Sequence, residues 1–504
     1  MTNPKKNTNK ASHKRKLTPI PSVAFVSLGC PKNLIDSERM LGLLAADGFA
    51  ISGDQNDADA IVINTCGFLE ASKQEALGVI REALETKKKA EKKGKSVRVV
   101  VAGCLVQRQR SQLLDEAPDV DALVGVFDRE NIVAAVRGGV KDDGNKISQS
   151  NMGTFHPVTQ LISRHDRTKQ GYLEEDGARL RLTPRHYAYL RISEGCNQGC
   201  TFCTIPGIRG RMRSKPLETI IAEARELILD GAYEINLIGQ DTTSYGLDIG
   251  FGAGLSGLIT ALDQLPDIGW IRLMYAYPSC FTDEMIHALA DTEHFVKYID
   301  MPLQHINDEI LFAMRRKTTR KQIETLMEKL RKWIPGVNIR TTMISGFPGE
   351  TAEQHRELVQ FVRDFGFDCL GVFEYSPEPE TPAGRLWKTA AVNSQTVRER
   401  KQEIMLAQQE VVFKKNNAMI GQKLPVLIDW VDRKRRTARG RHAGQAPDID
   451  GQVLIPHCDV VTGEVVNVTV KDWKHYDLIA HMDKIKLRTV VQQLDVSLPL
   501  LQIS

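Results

Sequence analysis

Short apolar runs alternate with helical patterns twice along this chain, and that rhythm restricts the fold more than any other feature. From residue 22 the runs VAFVSLG, DAIVINT and VRVVVAG are each followed by a helical stretch, starting near Asp36, Glu70 and Gln107. Strands that alternate with helices run parallel, because each crossover helix returns the chain to the same end of the sheet. A longer rhythm extends from Tyr187 to about Gly421. Its strand runs are YAYLRIS, YEINLIG, IRLMYAYP, YIDMPLQ, IRTTMISG and CLGVFEYS. Between them lie LETIIAEARELILD, GLITALDQL, DEMIHALA, NDEILFAMRRK with KQIETLMEKLRKWI, and AEQHRELVQFVRDFG, and a long helix follows from Ser394 to Met419. Six such units predict a partial TIM-like (β/α)6 barrel, with its chemistry at the C-terminal ends of the strands.

From Lys423 the runs become short and alternating: LPVLIDW, GQVLIPH, EVVNVTVKDW and DLIAHM. They predict a small antiparallel β-barrel of about five strands. The expected organisation is therefore an α/β multidomain chain. A disordered basic tail (1–20) precedes an N-terminal parallel α/β domain (21–137). A connection (138–184) leads to the six-unit barrel (185–420), the small β-barrel (421–490) and a C-terminal tail (491–504). A length of 504 residues agrees with roughly three domains.

Charge and hydropathy narrow the function classes. Net charge is only +4, so the whole chain carries no strong nucleic-acid or membrane signature. No apolar run approaches the ~18 residues of a membrane span. The opening MTNPKKNTNKASHKRKL lacks the apolar core of a secretory signal, so a cytoplasmic, reducing location with no membrane partner is expected. There, nine cysteines are not a disulfide framework. They are metal or cluster ligands, a catalytic thiol, or core residues.

SEGCNQGCTFC sets Cys196, Cys200 and Cys203 in a C-x3-C-x2-C spacing directly after the first strand of the barrel. Three thiolates in one loop can wrap a single centre. On a 4Fe-4S cluster they leave one iron open to a small molecule. A zinc site with His186 as fourth ligand is the alternative. Other strand ends should face the same mouth: Gln240 and Asp241 in IGQDTTSYG, and Gly346 and Glu350 in SGFPGET. These would contact cofactor or substrate, or else serve ordinary turns and caps. Phe202 would shield the cluster, pack near adenine, or belong to the core.

SVAFVSLGC, DAIVINTC and VRVVVAGC end in Cys30, Cys66 and Cys104. Each cysteine stands after an apolar run and before a helix. In a parallel sheet these positions share one edge, where α/β folds bind ligands. Three thiolates on that rim can hold a second iron–sulfur cluster; three buried apolar cysteines are the alternative. Cys280, Cys369 and Cys458 follow no such pattern and read as core or incidental residues.

The C-x3-C-x2-C motif resembles the signature of radical S-adenosylmethionine (SAM) enzymes, in which a 4Fe-4S cluster gives one electron to SAM and a 5′-deoxyadenosyl radical results. More widely, VSLGCPKNLIDSE, RHYAYLRISEGC, IPGIRGRMRSKP, YIDMPLQHINDEIL, TTMISGFPGET and FEYSPEPETPA resemble the RimO-type branch of the methylthiotransferase family. The resemblance, over about residues 22 to 490, implies an N-terminal cluster domain, a radical SAM barrel and a C-terminal OB-like TRAM domain. It implies two 4Fe-4S clusters, on Cys30, Cys66, Cys104 and on Cys196, Cys200, Cys203. SAM would serve as both methyl donor and radical source. The implied substrate is the β-carbon of an aspartate in small-subunit ribosomal protein 12, with an electron donor and a sulfur donor as further partners. The transfer-RNA branch, MiaB-like, usually carries Gln-Met-Asn after the first cysteine; here Pro31, Lys32 and Asn33 follow Cys30.

GRHAGQAPDIDG (440–451) also fits the family, but RKRRTAR precedes it. Residues 421–483 hold nine Lys/Arg and nine Asp/Glu, where an acidic TRAM domain would suit a basic ribosomal protein. Arg433, Lys434, Arg435, Arg436, Arg439 and Arg441 are therefore candidates to touch RNA phosphates; a solvated hairpin loop is the alternative. A transfer-RNA adenosine methylthiotransferase and a non-catalytic, metal-containing RNA-binding protein are the competing functions.

Overall fold

The computed structural model describes residues 21–138, 158–164, 172 and 176–482. The two tails and most of the expected connection lie outside them. The first sheet contains β1 (Ser22–Ser27), β2 (Ala50–Ser52), β3 (Ala60–Thr65), β4 (Arg98–Gly103), β5 (Ala122–Val124) and β6 (Thr159–Leu161). Their order is β2-β1-β3-β4-β5-β6 and every pairing is parallel. The three runs recognised in the sequence are the adjacent strands β1, β3 and β4. Apolar clusters cover both faces, as a doubly covered parallel sheet requires. The other three strands have only three residues each, too short to display a hydrophobic period, and β6 falls inside the expected connection. The helix expected from Asp36 begins earlier, at Pro31, where proline fits the first helical position. The stretch from Gln107 is a short helix, Cys104–Gln109, that stops at Arg110, whose φ is +54°.

The second sheet is the six-unit barrel. It uses β7 (Tyr187–Arg191), β10 (Glu234–Ile238), β11 (Trp270–Leu273), β12 (Phe295–Asp300), β13 (Asn338–Ser345) and β14 (Cys369–Glu374), all parallel, in the order β14-β13-β12-β11-β10-β7. The sheet stays open between β7 and β14, so it is a partial barrel. β8 (Ser193–Glu194) and β9 (Arg213–Ser214) form a separate two-stranded ribbon above β7. Helices cover one face through a single large apolar cluster that includes Leu190, Leu237, Ile271, Ile299 and Ile339. The run IRLMYAYP leaves the sheet at Leu273, because Tyr275 takes φ +60°.

The C-terminal barrel closes β15 (Lys423–Asp432), β16 (Thr437–His442), β17 (Val453–Pro456), β18 (Val465–Lys474) and β19 (Asp477–Met482) in the order β15-β16-β17-β19-β18. All neighbours are antiparallel except β17 and β19. Val426, Ile428, Val453, Val468 and Val470 fill its interior. The sequence runs do not mark β16, because TARGRH carries its apolar atoms only at Ala438 and the glycine.

The turn after β16 inserts against the face of the second sheet opposite its own crossover helices, where Ile35 of the helix Pro31–Ala46 also packs. Ala446 packs there with Tyr187 and Tyr298. Arg272 donates to the Ala443 carbonyl at 2.9 Å, Tyr187 to Asp448 at 3.0 Å and Tyr298 to Asp450 at 2.7 Å. Gly444 lies so close to Asn338 that a Cβ would sit 2.6 Å from its side chain. Arg441 anchors the turn, 2.6 Å from Glu234 and 2.9 Å from Asp429. This corrects the expectation that Arg441 touches RNA: it is 2% exposed and ion-paired. Among the described residues no helix is long and apolar enough to cross a membrane.

Replacing Arg441 leaves the buried Glu234 with Arg272 alone and the partly buried Asp429 with His186 alone. Arg441→Met should destabilise the protein by about 3–5 kcal/mol, seen as a lower urea midpoint. An unchanged midpoint would show that packing alone seats the turn.

Candidate metal centres

Cys30, Cys66 and Cys104 stand together because β1, β3 and β4 are neighbours. Cys30 precedes the first turn of the helix Pro31–Ala46, Cys66 follows β3, and Cys104 opens the helix Cys104–Gln109. The loops approach closely. Gly29 has φ +95°, and a Cβ on it would lie 2.8 Å from Cys66 Cβ, so only glycine fits. Asn33 ties the rim together, its amide donating to the carbonyls of Leu28 and Thr65. Burial pushes the Cys104 thiol up to about 12 and also raises that of Cys66. The Arg209 guanidinium opposes this, donating to Cys104 Sγ at 3.1 Å. Cys30 and Cys66 add to the rise at Cys104, and Cys30 to that at Cys66.

Cys196, Cys200 and Cys203 occupy the loop between β8 and the helix Ile205–Arg209, beyond the C-terminal end of β7. The Gln198 N–H donates to Cys196 Sγ at 3.5 Å, and Arg316 donates to Cys200 Sγ at 3.5 Å. Burial pushes Cys196 to about 11 and Cys203 to about 12. His186 precedes β7, at the opposite end of that strand. It bonds Asp429 at 2.8 Å, so the zinc alternative loses its fourth ligand. Among the described residues no three Cys, His, Asp or Glu side chains close around one ion position. In both sets the donor chemistry fits an anionic iron–sulfur group: three thiols, with an arginine supplying a charged N–H to one sulfur.

The remaining predicted residues divide. Asp241 accepts from Gln198 at 2.6 Å, Ser244 at 2.6 Å and Thr243 at 2.9 Å. It is buried and holds the cysteine loop through Gln198. Glu350 closes its own turn, accepting from the Gly346 and Phe347 N–H groups and pairing with Arg400 at 2.9 Å. Gly346 has φ +76°, and a Cβ there would collide with Val397. Phe202 packs beside Met314, Phe347 and Tyr375. Gln240 differs from these. Its amide donates to Glu194, while its Oε1 is buried with no hydrogen-bond partner. Of the other cysteines, Cys458 lies in the core of the small barrel and Cys369 is half-buried at the start of β14. Cys280 accepts from Gln198 at 3.3 Å, beside the cysteine loop.

Sequence reasoning missed a buried ion network between the first two domains. Arg191 pairs with Asp36 at 2.8 Å, Asp176 at 2.7 Å and Glu194 at 2.5 Å. Arg129 reaches Asp36 at 2.6 Å and Arg209 reaches Glu194 at 3.0 Å. Lys215 joins Asp176 at 2.8 Å to Glu223 at 2.5 Å. Four acids meet four bases, so these eight side chains are neutral as a set. A signal was present: Arg191 ends the otherwise uncharged and buried strand β7. Burial alone would raise the Asp36 pKa, but Arg191, Arg209 and Arg129 hold it at about 2.

This architecture defines a radical SAM enzyme extended by an N-terminal α/β domain and a C-terminal TRAM barrel. Residues 22–125 match the family described as uncharacterized protein family UPF0004, residues 190–362 the radical SAM superfamily, and residues 420–482 the TRAM domain. The fold is similar to that of the radical SAM methyltransferase TsrM from Kitasatospora setae, with a TM-score of 0.52 and 17% identity over 73% of this chain and 77% of that one. The particular family follows from nearer relatives. The ribosomal protein uS12 methylthiotransferase RimO of Trichlorobacter lovleyi is 39% identical over 91% of this chain and 98% of that protein. The RimO of Bdellovibrio bacteriovorus is 40% identical over 91% and 97%. The chain belongs to the RimO family of SAM-dependent methylthiotransferases.

Asp36→Asn removes an acid shared by three buried guanidinium groups and should cost about 3–5 kcal/mol at neutral pH. Because folding lowers the Asp36 pKa from 3.8 to about 2, its contribution is complete above about pH 4 and is lost as pH falls through 2. The variant should therefore show a shallower acid limb in a pH series of denaturation midpoints. An identical limb would remove Asp36 from that role.

Proposed function

We infer that this enzyme methylthiolates the β-carbon of an aspartate in ribosomal protein uS12. The observation that carries the reading is that Arg209, on the helix that directly follows Cys196, Cys200 and Cys203, donates to Cys104 of the other three-cysteine set, in a chain of the RimO family. A β-carbon hydrogen of aspartate is not acidic enough for ordinary base catalysis, so a radical route suits it. Bound at Cys196, Cys200 and Cys203, one 4Fe-4S cluster would supply the electron for SAM cleavage, and a second at Cys30, Cys66 and Cys104 would carry the sulfur.

The chain's own residues set the conditions for this chemistry. Arg209 and Arg316 each direct a charged N–H at a cysteine sulfur, Cys104 and Cys200. Asp241 fixes the loop of the first set through Gln198. Gln240 offers an open acceptor. An electron donor and a sulfur donor complete the reaction. Outside the catalytic centre, Arg433, Lys434, Arg435, Arg436 and Arg439 are exposed on the β15–β16 hairpin, and the Arg439 guanidinium lies 4.3 Å over the half-exposed Trp430. Cations beside an aromatic face suit RNA next to the substrate protein. The cytoplasm, where ribosomes are assembled, is the location that fits this role.

Anaerobic reconstitution should give about eight irons per chain, as two 4Fe-4S clusters require. Cys30→Ala should lose about half and keep reductive SAM cleavage; full iron retention in that variant would overturn the second cluster. Mass spectrometry of a strain lacking the protein should show uS12 without its methylthio group and transfer RNA unchanged. The reverse pattern would favour a transfer-RNA substrate.

A further inference from the structure

Lys32 belongs to the N-terminal domain, two residues after Cys30, yet its ammonium crosses to the barrel. It sits 3.0 Å over the ring of Tyr275, just past the C-terminal end of β11. The Tyr275 backbone is turned to φ +60° and its N–H donates to Asp300 at 3.1 Å, which brings the ring to the mouth. Lys32 is 7% exposed. Among the described residues no hydrogen bond or ion pair reaches its ammonium. A buried lysine ordinarily needs such a partner. The nearby acids are already engaged: Asp300 accepts from Arg340 at 2.8 Å, and Glu194 from Arg191, Arg209 and Gln240. The mouth therefore holds a buried ammonium with no hydrogen bond or ion pair among the described residues, and the charge that favours it most is that of Cys30, in the cysteine set beside it. An ammonium resting on a ring face still has N–H groups free for an anion.

We propose that Lys32 binds the carboxylate of the substrate aspartate at the barrel mouth. The proposal rests on the function inferred above and adds its specificity contact. The orphaned Gln240 Oε1 lies on the same side of the barrel, past the end of β10, and can accept an N–H from the bound peptide. An adenosine substrate has no carboxylate for Lys32 to bind. The carboxylate of SAM has the same chemistry as that of aspartate, so a test must separate the two.

The reconstituted holoenzyme can be titrated with uS12 and with uS12 whose target aspartate is replaced by asparagine. Wild type should prefer the aspartate form. Lys32→Met should bind that form about tenfold to a hundredfold more weakly and bind the asparagine form unchanged, erasing the preference. Its iron content and its Kd for SAM should match wild type, and Lys32→Arg should recover part of the preference. A preference that survives in Lys32→Met overturns the proposal. A loss of SAM affinity with uS12 selectivity intact also overturns it and assigns Lys32 to SAM. If Lys32→Met loses iron, the comparison is made with Lys32→Gln. Failure of the wild type to modify uS12 would instead overturn the function on which the proposal rests.

Discussion

The ion network around Arg191 is the constraint on which the rest of the structure depends. It is assembled from the first domain (Asp36, Arg129), the segment before the barrel (Asp176) and the barrel itself (Arg191, Glu194, Arg209, Lys215, Glu223). Buried ion pairs add little net stability, because desolvation offsets most of their attraction. They are, however, intolerant of misalignment, since any displaced partner leaves a bare charge in a dry interface. The network therefore works as a register. One docking of the two domains satisfies it, and that docking brings Arg209 to Cys104.

The second interdomain contact closes the other side. The turn after β16 occupies the face of the sheet opposite the crossover helices, near the starts of its strands, sealed by Arg441 and by tyrosines that donate to Asp448 and Asp450. With that face filled, the C-terminal mouth is left for chemistry. The two contacts place both cysteine sets, Lys32 and Gln240 on the same side of the molecule.

How legible each residue was depended on whether its role is written locally. The six cysteines were legible because each follows a strand run or sits in a tight loop motif. Asp241 and Glu350 were read as polar groups at strand ends, and in the fold their carboxylates accept hydrogen bonds from Gln198 and from the turn at Gly346. Whether a polar side chain faces a ligand or its own loop depends on neighbours distant in sequence. Arg441 shows the same limit: it reads as part of a basic cluster, and only the fold reveals Glu234 beside it. Lys32 was visible as a difference from the transfer-RNA branch, but its partner, Tyr275, lies 243 positions away by subtraction of their numbers.

By itself the sequence determined the strand and helix rhythm, the three-domain order and the convergence of Cys30, Cys66 and Cys104, because hydrophobic period and parallel topology are local rules that a linear chain displays. The short strands β2, β5, β6 and β16 escaped it, since three residues, or a strand rich in arginine, carry no readable period. Only the tertiary structure decided how the domains dock, which charged groups are buried, and which polar atoms remain without partners. Those outcomes follow from pairwise distances between remote segments, and such distances set the desolvation and pairing energies that no local pattern contains.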